Sequence, residues 1–176
     1  MTNAMTLQYL NEDDKAYGLA GMAISLAALD AIDKIVEVSL DATGPMVTFS
    51  NEFYFNSSPV ISPKANWNHL VHNFYITASM VISNVMSRSL VRMKQNVPQE
   101  LMDAIRKEMT EEAKESCQLE DDEIDNLFEK TRVYMGRIFR NPRIHPAVDD
   151  FAHTLSVRRI MSGNEIADEL RALSIL

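Results

Sequence analysis

His145, Asp149 and His153 are the residues of this chain best spaced for chemistry. Steps of four along a helix keep three side chains on one side, and two imidazoles with a carboxylate make a ligand set for zinc or iron. His69 and His72, three apart in an earlier segment, are candidates to complete the site, because metal sites in helical bundles draw ligands from facing helices. Two features weigh against it. Pro146 directly follows His145 and places it at the edge of a helix, where the spacing argument weakens, and His69 and His72 read equally well as partly buried residues satisfied by backbone or water. A metal-binding protein or metal-dependent enzyme is therefore the alternative reading.

Arg137, Arg140 and Arg143 cluster in Arg-Ile-Phe-Arg-Asn-Pro-Arg-Ile-His-Pro, with Arg158 and Arg159 downstream. Guanidinium forks suit phosphate or carboxylate, which makes this junction the candidate for a small anion. The plainer reading is that Arg137 and Arg140 sit at a helix C-terminus, where cations are favoured, and pair with acids of the same chain. Those acids are close at hand in the sequence: residues 108 to 125 hold nine Asp or Glu against Lys114 alone. Such a run repels phosphate backbones, so nucleic acid is not expected as a partner.

Catalytic signatures are missing elsewhere. There is no Walker loop, no dinucleotide fingerprint, no Gly-x-Ser-x-Gly, and Cys117 follows acidic residues that disfavour its thiolate. Ile144-His145-Pro146 resembles the opening of the Fic-type nucleotidyl-transfer motif. However, Ala147-Val148-Asp149-Asp150-Phe151-Ala152 stands where the Gly-Asn-Gly phosphate loop belongs, so the resemblance implies no activity. No cofactor is implied.

The elements that must position these residues follow from hydrophobic spacing. From Ala65 to Ser87 there is no charged residue, and Leu70, Val71, Phe74, Tyr75, Ala78, Val81, Ile82, Val85 and Met86 recur at helical intervals. The spacing predicts a continuous helix from Asn66 to Gln95, surrounded on most sides. Its length suits a bilayer, but four Asn, three Ser, two His and a Thr do not, and no membrane association is expected. Arg88 and Arg92 fall near its apolar side. They are read as long side chains overrunning the core with their charges in water.

A second helix is predicted from about Glu12 to Leu40, capped by Asn11, with Gly18, Gly21, Ser25 and Ala28 on a narrow stripe that favours close packing over a ligand pocket. Residues 1 to 10 show no period and are read as loosely held. Met46 to Phe55 alternates with a period of two and is the one strand signal, either a hairpin turning at Ser50 to Glu52 or an edge that pairs with a second copy. Phe49, Phe53 and Phe55 are then the interface candidates.

Asn96 with Gln99 predicts a cap for a helix from Val97 to Ser116, and further helices are expected at Asp121 to Arg140, from Pro146, and after Ser162 with its capping partner Glu165. Met80, Met86, Met93, Met102, Met109 and Met135 fall in these helices, as core filling or as an adaptable groove.

These readings give one all-α domain over residues 1 to 176, with five to six helices in a bundle-like or orthogonal arrangement and a short β-ribbon inserted between helices 1 and 2. At 46% apolar residues, 24% charged residues and a net charge of −8 the chain is globular and acidic. Its polar, acidic start resembles no signal peptide, so the expectation is cytoplasmic. The leading functional expectation is a non-catalytic helical protein acting through protein contacts, as a homodimer.

Overall fold

The computed structural model describes residues 8–54 and 63–175. Its first helix, α1 (Glu12–Ala28), starts where Asn11 predicts, with the Asn11 side chain accepting from the Asp14 amide at 2.8 Å. It ends twelve residues earlier than the expected Leu40. Asp30 takes a left-handed backbone (φ 53°), which Asp tolerates better than most residues, and the Ala31 amide returns to the Leu26 carbonyl at 2.8 Å. A short 3-10 turn follows, and then Ile35–Ser39 is a strand, β1. The sequence misleads here because Asp30, Asp33, Lys34 and Glu37 imitate the wet face of a helix. The β-branched residues Ile35, Val36 and Val38 suit a strand as well, provided partners flank it.

Those partners come from both sides. β2 (Val47–Phe49) and β3 (Ile160–Ser162) both pair antiparallel with β1, in the order β2-β1-β3. Val38 lies opposite Val47 on one side and Met161 on the other, with an irregularity between Ile35 and Glu37 on the β2 side. The alternating segment after residue 46 therefore neither turns back on itself at Ser50 nor needs a second copy. Asn51–Tyr54 is instead a single helical turn, α2. The ribbon becomes a sheet through a strand more than a hundred residues away. Gly163 follows β3 and approaches so closely that a Cβ there would stand 2.2 Å from the Ile35 carbonyl.

The long helix is present and unbroken: α3 (Pro63–Met86) runs on into a π-helical segment, Ser87–Arg92. It lies antiparallel to α1, as the pairs Tyr17 with Ser87 and Asp14 with Arg88 show. The small-residue stripe makes the approach possible. A Cβ on Gly21 would meet the Ser83 carbonyl at 2.4 Å, and one on Gly18 the Asn84 amide at 2.6 Å. The expectation of shielding on most sides holds only for the second half of α3. Ala78 to Ser89 is buried apart from Val81, whereas residues 64 to 68 lie on the surface.

α4 (Gln99–Glu112) begins after Pro98 without a side-chain cap, so the cap expected at Asn96 does not form, and it ends in a second π-helical segment, Ala113–Cys117. α5 (Asp121–Phe139) opens on a capping box of Glu120 with Glu123, α6 (His145–Arg158) carries Pro146 in its first turn, and α7 (Gly163–Ala172) opens on the expected Ser162 and Glu165 box. α5 packs on α3, and α6 packs on α1. Of the six helical Met residues named above, Met93 alone is exposed and the other five fill the core. Among the described residues there are thus seven α-helices and a small sheet, and no helix is long and apolar enough to cross a membrane.

Candidate functional site

Three places bring chemically capable side chains together. The first is a polar seam between α1 and α3. Asp14 is wholly buried and accepts from Arg88 Nη2 at 2.6 Å and from the Leu10 amide at 2.9 Å. Arg88 Nη2 also donates to the Gln8 carbonyl at 2.6 Å, and the Tyr9 ring lies 4.7 Å from the guanidinium carbon. Asn84 donates to the Tyr9 hydroxyl at 2.9 Å. Arg92 reaches Asp13 at 2.6 Å and Asp14 at 3.4 Å. Gln8 to Leu10 are therefore tied down, and Arg88 meets a buried acid instead of overrunning the core.

Burial by itself pushes the Asp14 carboxyl up. The Arg88 hydrogen bond, the Leu10 amide and the two arginine charges outweigh it and hold the group below the ordinary carboxylate range. A carboxylate in that state is a weak base, so the seam does no acid-base work near neutrality. Ser83 Oγ and Arg88 Nε in this seam are buried without a hydrogen bond among the described residues.

The second place holds the histidine candidates, and they do not converge. His145 Nε2 lies 2.9 Å from the Phe139 carbonyl, Asp149 accepts from the Tyr17 hydroxyl at 2.8 Å, and His153 is exposed. His69 Nε2 lies 3.1 Å from the Phe53 carbonyl and from Asn73, while His72 is exposed. Among the described residues no three His, Cys, Asp or Glu side chains are grouped to hold a metal ion.

The third place is the basic corner where α5 meets α6. Two of the acids expected to pair with Arg137 and Arg140 are engaged elsewhere: Lys114 takes Asp121 at 2.5 Å and Arg106 takes Asp125 at 2.6 Å. Arg158 pairs with Glu165 at 3.3 Å, and Arg159 with Glu12 and Asp41. Arg137, Arg140 and Arg143 make no ion pair among the described residues. Arg137 borders a groove of about 580 Å³ with Tyr75 and Tyr134, and Arg140 stands between two further concavities of about 270 and 330 Å³.

Of the aromatic interface candidates, Phe53 is buried and stacks on Phe49 at 4.2 Å, so both are largely spent inside the chain, and Phe55 lies outside the described residues. The surface aromatics that the sequence reading passed over are Trp67 and Tyr54. Periodicity placed Trp67 on a helix but carried no sign of which end would project beyond the core. Comparison of the chain with protein-family models, with curated proteins and with solved structures finds no match.

Proposed function

We propose that this is a non-catalytic, cytoplasmic helical protein that acts through protein contacts, and that its partner is a second copy of itself. The observation that carries the reading is the exposed, uncharged start of α3. From Ala65 to Leu70 there is no charged residue, yet Trp67 is 43% and Leu70 47% exposed. Tyr54, 56% exposed, follows Phe53, whose carbonyl accepts from the Asn73 side chain of the same helix. Interface centres are enriched in aromatic residues and depleted of charge. Two chains that each carry −8 repel where acidic surfaces face each other, so an uncharged patch is where copies approach at least cost. A two-fold axis through the patch lets the same residues of both copies meet.

Light scattering over a micromolar concentration range tests this. The expected mass is twice the 19.9 kDa of one chain, and the emission of Trp67, the one tryptophan, moves to shorter wavelength as association proceeds. Trp67→Ala and Leu70→Glu are expected to give the single-chain mass with unchanged far-ultraviolet circular dichroism. A single-chain mass for the unaltered protein throughout the range overturns the proposal.

A further inference from the structure

We infer that the concave corner around Arg140 is a binding site for a small molecule carrying a phosphate group. The groove of about 330 Å³ is lined by Lys94, Asn96, Arg140 and His145 over an apolar floor of Leu90 and Phe139, and no Asp or Glu lines it. Neither Lys94 nor Arg140 makes an ion pair or a side-chain hydrogen bond among the described residues, in a chain whose acids outnumber its Lys and Arg 25 to 17. The adjoining concavity on the far side of Arg140 also contains Arg106 and Arg132, but Asp125 and Glu129 neutralise those two. Within these two adjoining concavities, the cations without an ion pair among the described residues are Arg140 and Lys94.

Both residues are held there at a local cost. Gly136 sits in the interior of α5, where Gly is about 1 kcal/mol less favourable than Ala. A Cβ at Gly136 would come within 3.2 Å of Arg140 Nη1, so the missing methyl is the space beside which the guanidinium lies. Lys94 has φ 55°, a left-handed conformation that costs a residue with a Cβ roughly 1 to 2 kcal/mol, and it lies two residues past the π-helical segment that ends at Arg92. π-Helical turns recur at functional sites for the same reason: they change where the next side chains point. His145, the first residue of α6, adds the positive end of that helix to the corner. Its Nε2 lies 2.9 Å from the Phe139 carbonyl, which fixes the ring at the edge of the groove.

A planar fork, a mobile point charge and an imidazole around one small concavity match a tetrahedral dianion better than a flat monoanion. The volume, near the lower end of the usual range for ligand pockets, sets the ligand as a small phosphomonoester or free phosphate.

The test uses the full chain, amide chemical shifts, and inorganic phosphate or phenyl phosphate as probes, with chloride at matched ionic strength as control. Saturable shifts centred on Asn96 and His145 are expected below about 10 mM phosphate, a strength ordinary for a lone small anion. Tighter binding of phenyl phosphate identifies a monoester site with use of the apolar floor, and equal binding identifies a site for free phosphate. Arg140→Gln and Lys94→Gln are each expected to weaken binding about tenfold, or roughly 1.4 kcal/mol, whereas Arg137→Gln, outside this groove, leaves it unchanged. Lys94 lies outside the helices, so its variant answers the question even where Arg140→Gln perturbs folding. Shifts that chloride reproduces, shifts spread over every basic surface, or equal losses from Arg137→Gln overturn the inference.

Discussion

Asp14 and Arg88, 74 residues apart in the chain, meet at 2.6 Å with the carboxylate wholly out of solvent. This pair joins the first turn of α1 to the π-helical continuation of α3. Removing one member leaves the other buried without its closest partner, Asp14 keeping only Arg92 at 3.4 Å and the Leu10 amide, whereas removing both takes away the cost and the attraction together. Arg88→Met and Asp14→Asn are each expected to lower unfolding free energy by about 3 to 5 kcal/mol in urea titrations. The double variant is expected to lose much less than the sum. Additive losses would show that the two groups act independently.

The same pair sets an acid limit to stability. Asp14 is held below its ordinary range, so on acidification the unfolded chain takes up this proton before the folded one does. The contribution is complete above the unfolded carboxyl value of about 4 and is lost as pH falls through the lower folded value. Unfolding free energy measured from pH 7 down to pH 2 is expected to drop below about pH 4, and Asp14→Asn to flatten that part of the curve. An unchanged slope in the variant would remove Asp14 from the account.

Tyr17 marks the alkaline side. Burial first, and then the hydrogen bond to Asp149 at 2.8 Å and the charge of that carboxylate, push its hydroxyl up to about 12. Here the folded state keeps a proton that the unfolded chain gives up near pH 10, so the stabilisation is present below about 10 and is lost as pH rises through the folded value. Ultraviolet titration of the five tyrosines is expected to show Tyr17 as a late group alongside Tyr9 and Tyr75, which burial also pushes up, and Asp149→Asn to bring Tyr17 earlier. A Tyr17 that stays put in the variant would separate the shift from Asp149.

Two glycines should respond in opposite directions to the same substitution. Gly21→Ala drives a methyl against the Ser83 backbone carbonyl at 2.4 Å, and backbone on a packed helix has nowhere to go. The expected loss is about 1 to 3 kcal/mol, in spite of the better helix propensity of Ala. Gly136→Ala meets the end of the flexible Arg140 side chain at 3.2 Å, so stability is expected to rise by up to about 1 kcal/mol. Thermal and urea unfolding of both variants checks the signs. Destabilisation by Gly136→Ala would mean that the arginine cannot give way.

Arg88 shows where local reading stops. A charge on the apolar side of this helix is visible in the sequence, where it reads as an overrun into water, but that a buried acid answers it depends on the path of a chain segment 74 residues earlier. The anion corner was partly visible in the same way. Arg140 and Arg143 could be read off the junction before Pro146, whereas Lys94 carries no motif and joins Arg140 only because α5 lies beside the end of α3.

What the amino-acid sequence determined by itself is what depends on neighbours within a few positions. This includes the long helix with its uncharged face, the Asn11 and Ser162 caps, the small stripe of Gly18 and Gly21, and the helix start at Pro146. Tertiary structure alone decided that Ile35 to Ser39 is a strand and that Ile160 to Ser162 completes its sheet, because a strand's hydrogen bonds are made with residues far along the chain. It also decided which charges are buried and which remain unpaired, since desolvation depends on what covers a group, and that is fixed only when the helices pack.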